Sequence, residues 1–147
     1  MQIVKGLPPP SVPSKILLER YASLPVDLTA LPGVKLGKLL GVLASFSEYA
    51  DYQLALLEGR RDRLENAVES RYAEVSILKD TGLEKWRLES QIIRDDKYRR
   101  LKKKLLSVSS KARLVKALRD SYIRNYSAVS REITRRISEI KLSGGHT

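Results

Sequence analysis

The chain has 147 residues, 42% of them hydrophobic, a formal net charge of +11 and no cysteine. That length suits one domain with a modest core, and the lack of Cys excludes a disulfide framework and thiolate metal sites, in keeping with a reducing intracellular setting. No run approaches the roughly 18 apolar residues of a membrane span, and the first residues lack the layout of a signal peptide, so a soluble cytoplasmic protein is expected, in the host cell if the source is viral.

The charge is unevenly placed. Residues 1–82 hold 10 Lys/Arg against 10 Asp/Glu, and residues 83–147 hold 18 against 7, so the second half carries the whole surplus. A field confined to one half attracts phosphate backbones or anionic surfaces.

All six prolines lie within the first 32 residues, and proline disfavours helix both at itself and in the residue before it. Ser14 is placed to cap one short helix through Ile16, Leu17, Leu18 and Tyr21, ending before Pro25. This arm either hangs free or docks its apolar face on the body or on a neighbouring subunit. From Leu36 the positions 36, 40, 43, 47, 50, 54, 57, 61, 64, 68, 71, 75 and 78 are apolar in ten cases of thirteen, a heptad seam that no strand period produces. A helix is predicted over about 35–79, with Gly59 tolerated inside it.

Gly82 suits a tight turn, and Thr81 with Glu84 has the spacing of a capping box. A second segment is predicted over 83–94, carrying Leu83, Trp86, Leu88 and Ile93. Asp95 and Asp96 favour a break there and a new helix start. From Tyr98 the seam returns through Leu101, Leu105, Val108, Ala112, Val115, Arg119, Tyr122, Tyr126, Val129, Ile133, Arg136 and Ile140. The expected fold is all-α: an elongated antiparallel helical hairpin with coiled-coil-like seams. Its core would be thin, so self-association into a homo-oligomer is expected. Arg61, Arg71, Arg119 and Arg136 interrupt the seams, either setting register and partner choice or marking where the helices splay. The organisation expected is a proline-rich arm over 1–33, a hairpin domain over 34–142 and a disordered tail over 143–147.

Gly37-Lys38-Leu39-Leu40-Gly41 has the Gly-x-x-x-Gly spacing of close helix packing, here at the start of a soluble helix. It fails as a phosphate loop, because Gly33 to Gly37 is one residue short and Leu39 stands where Ser or Thr is required. Asp95-Asp96, flanked by Arg94 and Lys97, reads as a cap rather than a metal ligand pair. The only His, His146, lies in the tail. Catalytic dyads, metal clusters and cofactor motifs are not legible, so neither an enzyme nor a cofactor is expected.

The basic helix is the remaining signal. Lys97, Arg99, Arg100, Lys102, Lys103 and Lys104 all fall outside the seam, and Lys111, Arg113 and Lys116 extend the series, with no acid between 97 and 119. An ordinary solvated helix intersperses acids, since like charges one turn apart destabilise it. Nine uncompensated cations make sense where a polyanion neutralises them and releases its counterions. Tyr98, Tyr122 and Tyr126 could stack on bases but lie on the seam, which favours packing.

The stretch Asp95-Asp96-Lys97-Tyr98-Arg99-Arg100-Leu101, the long helix after it and the closing Tyr126-Ser127-Ala128-Val129-Ser130-Arg131-Glu132-Ile133-Thr134 together resemble the phage recombination mediators of the UvsY type. The resemblance covers roughly 36–140, rests on layout and leaves the proline-rich arm outside. It implies a ring-forming oligomer that binds single-stranded DNA and helps seat a RecA-like recombinase on DNA coated by single-strand-binding protein. The competing readings are a structural or adaptor protein of a phage particle and, more remotely, a transcriptional regulator, which would use a compact helix-turn-helix.

Overall fold

The computed structural model describes residues 27–79, 82 and 84–144. The arm helix expected after Ser14, Thr81, Leu83 and the last three residues lie outside them. Within them a 3-10 turn (Leu28–Ala30) precedes three helices: α1 (Gly33–Lys79), α2 (Lys85–Arg94) and α3 (Asp96–Ser143). The architecture is all-α, and none of these helices is long and apolar enough to cross a membrane.

The chain divides into two compact units, one formed by residues up to Tyr52 with those from Lys116 onward, the other by Gln53–Val115. In the first, Leu36, Leu39, Leu43 and Val129 form the buried cluster, with Leu28, Leu31, Tyr122 and Ile133 packed around it. Phe46 meets Tyr122 at 5.2 Å between ring centroids, and Asp51 pairs with Arg119 at 2.7 Å. Partner numbers on α3 fall as those on α1 rise, so the two helices run antiparallel here. In the second unit Tyr72 meets Tyr98 at 6.3 Å, while Leu64 and Val108 line one recess, giving the same sense.

The seam is wider than a strict heptad at the start of α1, where Leu39 and Phe46 are buried beside Leu36 and Leu43. A straight α-helix drifts against a 3.5-residue repeat, and the 3-10 turn with Tyr122 gives the neighbouring row something to pack on. At the far ends the seam runs out: Leu78 and Ile140 are exposed. Gly37 and Gly41 do not mediate close packing, because both are exposed and a Cβ on either would meet nothing within 4 Å among the described residues. Gly82 takes φ 76°, the left-handed turn conformation that favours glycine.

The break at Asp95 is present, with its backbone extended between α2 and α3. The Asp95 carboxylate accepts the Tyr98 N–H at 2.8 Å, capping the first turn of α3. The same carboxylate receives Arg71 Nε at 3.0 Å and Nη2 at 2.8 Å, a bidentate pair. Before α2 it is Glu84 that precedes the first helical residue, and its carbonyl accepts the Arg87 and Leu88 N–H groups. The helix therefore starts at Lys85 rather than 83, and the Glu84 side chain takes the Trp86 indole N–H; the capping box expected of Thr81 lies outside the described residues. The buried residue of α2 is Ile92, at 0% exposure, whereas Trp86 and Ile93 are both 61% exposed.

The seam arginines act mainly between elements. Arg71 ties α1 to Asp95, and Arg119 ties α3 to Asp51 on α1. Arg136 donates to the carbonyls of Leu31 (2.7 Å), Thr29 (2.9 Å) and Leu28 (3.1 Å), pinning the 3-10 turn to α3, and is itself held by Glu132. Arg61 pairs with Asp62 and Glu65 on its own helix. Three of the four thus fix register, the first of the two roles their positions suggested.

The Arg71 guanidinium and the Tyr98 N–H hold the Asp95 carboxyl down to about 2. Because this folded value lies below the ordinary carboxylate range, the stability Asp95 contributes is complete above about pH 5 and is lost as pH falls toward 2. Asp95→Asn is expected to lower the melting temperature by a few degrees at pH 7 and to flatten the parent's stability loss between about pH 4 and 2. Thermal unfolding followed by circular dichroism across that range checks both.

Candidate functional site

The nine cations singled out on α3 are all exposed. Lys116 belongs to the first unit and the other eight to the second. At 100° per residue they do not share one stripe. Lys97, Arg100, Lys104 and Lys111 follow one another in helical steps along one flank of the seam, while Lys102 lies on the other flank and Arg99, Lys103 and Arg113 point away from it. The charge surrounds the exposed arc of the helix, with one ordered row.

Few of these cations are engaged. Arg99 pairs with Asp96 one turn back, and the Lys102 ammonium sits 5.7 Å from the Tyr98 ring centroid. Lys97, Arg100, Lys103, Lys104, Lys111 and Arg113 hold no ion pair among the described residues. The contrast with the fold-holding arginines is direct, since Arg71, Arg119, Arg135 and Arg136 each have a carboxylate partner. Glu132 is only 9% exposed, and Arg135 and Arg136 hold its carboxyl down to about 2. The arginines that tie elements together are neutralised within the protein, whereas the cations along 97–113, Arg99 apart, have no carboxylate partner among the described residues.

Two members of the ordered row, Lys104 and Lys111, border a recess of about 650 Å³ in the second unit. Lys104, Ser107 and Lys111 line it from α3, and Arg60 and Arg63 line it from α1. These two arginines were missed by sequence reasoning. Counting charge by halves hid them, because 1–82 balances to zero, although the run Arg60-Arg61-x-Arg63 beside a seam position was a signal. Only the packing of α1 on α3 sets them opposite Lys104 and Lys111.

The tyrosines behave as packing residues. Tyr98 lies between Tyr72 and Lys102, and burial of Tyr122 beside Phe46 raises its hydroxyl pKa. Of the three, Tyr126 is the most exposed. Asp95 and Asp96 face Arg71 and Arg99, and among the described residues no group of three or more His, Cys, Asp or Glu is placed to hold a metal ion.

No protein-family model, curated protein or solved structure matches the chain.

If Tyr98 packs rather than stacks on a ligand, Tyr98→Leu should leave affinity for a single-stranded oligonucleotide within about twofold. Loss of a stacked base would cost about 1–3 kcal/mol, several-fold to a hundredfold in affinity. Fluorescence anisotropy titration separates the two.

Proposed function

We propose that the chain binds single-stranded nucleic acid through the phosphate backbone, using the exposed cations Lys97, Arg99, Arg100, Lys102, Lys103, Lys104, Lys111, Arg113 and Lys116. The observation that carries this reading is that, among the described residues, the cations of 97–113, Arg99 apart, have no carboxylate partner, whereas arginines elsewhere that hold the fold do. Unpaired neighbouring cations destabilise a helix, and a phosphate chain relieves that repulsion while releasing its own counterions. The role is binding rather than catalysis.

The likeness to UvsY-type mediators extends the proposal: the protein would be a recombination mediator that helps load a RecA-like recombinase onto DNA coated by single-strand-binding protein. A mediator of this kind works as a homo-oligomer. Support for self-association comes from the large apolar side chains left exposed on α3, among them Leu106, Leu114, Leu118 and Ile137. A second reading, a phage-particle adaptor, is favoured by exposed Trp86 and Ile93 on α2, since an exposed Trp is a common anchor for a protein partner.

Binding to an unstructured oligonucleotide should weaken steeply with salt. Four phosphate contacts alone imply a loss of about 50-fold between roughly 50 and 200 mM. Replacing Arg100, Lys103 and Lys104 by Gln should reduce affinity and flatten that dependence while helix content stays unchanged, because all three are exposed and unpaired. A triple variant that binds like the parent would remove the nucleic-acid reading and advance the adaptor.

Self-association is tested separately. Light scattering coupled to gel filtration at micromolar concentration should return a multimer, and a 16.6 kDa species at every concentration would refute it.

A further inference from the structure

Building on the proposed nucleic-acid reading, we infer that the phosphate chain lies in a two-sided cleft, with Arg60 and Arg63 of α1 facing Lys104 and Lys111 of α3. We further infer that this cleft reads phosphate alone and accepts any flexible phosphate chain, with or without bases.

The composition of the cleft carries the first half. Four cations from two helices border one recess, and no carboxylate lines it. None of the four holds an ion pair among the described residues, although Arg61, next to Arg60, is paired with both Asp62 and Glu65. Acids are therefore within reach of this stretch of α1, yet Arg60 and Arg63 are left unpaired. Bringing four like charges together around a concave, partly apolar surface raises the local positive potential above that of a single helix face. A phosphate chain entering between the helices meets cations on both sides. Arginine on one side adds the planar fork that binds phosphate oxygens in pairs, which lysine lacks.

The second half rests on what else lines the recess. Its floor is aliphatic, formed by Leu64 and Val108, and its one neutral polar side chain is Ser107. No aromatic ring borders it, since Tyr72 and Tyr98 in the same unit pack on one another. A site without stacking rings or a set of amide and carboxylate groups has no means of grasping a base by its face or its edges. Affinity then comes from charge and from the spacing of phosphates. Single-stranded nucleic acid and inorganic polyphosphate share that chemistry.

The test uses the full chain and three probes: a labelled oligothymidylate, an abasic strand of equal length and inorganic polyphosphate as competitor. The abasic strand should bind within about threefold of the oligothymidylate, and polyphosphate should displace the label at a comparable phosphate concentration. Arg60→Gln with Arg63→Gln removes two phosphate contacts, so the affinity loss between roughly 50 and 200 mM salt should shrink about 7-fold relative to the parent's. Arg60→Lys with Arg63→Lys keeps the charge and should restore most of the salt dependence; circular dichroism confirms that each variant is folded. If the oligothymidylate binds but the abasic strand is tenfold or more weaker, or polyphosphate does not compete, the base-blind cleft is refuted while nucleic-acid binding stands. A Gln pair with the parent's affinity and salt dependence excludes α1 from the site. If no probe binds the parent, the proposed function falls first, and this inference with it.

Discussion

At Asp95 one carboxylate takes the free N–H of Tyr98 and two nitrogens of Arg71, so a single side chain ends α2, starts α3 and fastens the junction to α1. The phase of a helix is set from its start, and every cation from Lys97 onward inherits its direction from this cap. The pair is 21% and 17% exposed for Arg71 and Asp95, enough to limit screening by water and salt without full burial of either charge. It also has an electrostatic consequence. With Asp95 engaged by Arg71 and Asp96 by Arg99, the two acids nearest the basic series are already committed, and the next acid on α3 is Asp120.

Arginine serves two separable purposes in this chain. Arg136 reaches from α3 to three carbonyls in and just after the 3-10 turn and also donates to Glu132, four bonds that suit a planar donor with five N–H groups and exceed the three N–H groups of an ammonium. Glu132 supports it from one turn back, and its depressed pKa reflects the two guanidinium groups that share its oxygens. Arg60, Arg63 and Arg100 have no such partners among the described residues. Their chemistry is the same, and the difference is whether the fold places an acceptor in reach.

The two units also differ in how they are held. The first has a contiguous cluster built from Leu36, Leu39, Leu43 and Val129 with aromatic cover from Phe46 and Tyr122. The second, which bears most of the basic series, buries smaller side chains at Val68, Val75, Val108 and Ala112, together with Leu54 and Ile92, and relies on the Arg71–Asp95 pair. Regions with few buried apolar contacts open at lower free energy, and a ligand bound to the closed form stabilises it by mass action. The phosphate chain proposed for this unit would therefore add to its stability as well as mark its function.

Much of the architecture follows from the amino-acid sequence alone. Three- and four-residue apolar steps determine two long helices and Asp95-Asp96 marks the break, because periodicity and capping are local properties of the chain. The exposure of the nine cations is equally local, since a residue outside the apolar stripe faces solvent. The inward turn of Ile92, the burial of Leu39 and Phe46 and the open surroundings of Gly37 and Gly41 depend on what packs opposite, which no single segment encodes. The same holds for the candidate site. Lys104 and Lys111 are legible as charge on α3, but their confrontation with Arg60 and Arg63 exists only once α1 lies antiparallel to α3. Residues more than 40 positions apart are brought to one recess by the register of two helices, and that register is decided by tertiary ion pairs and core contacts rather than by spacing along the chain.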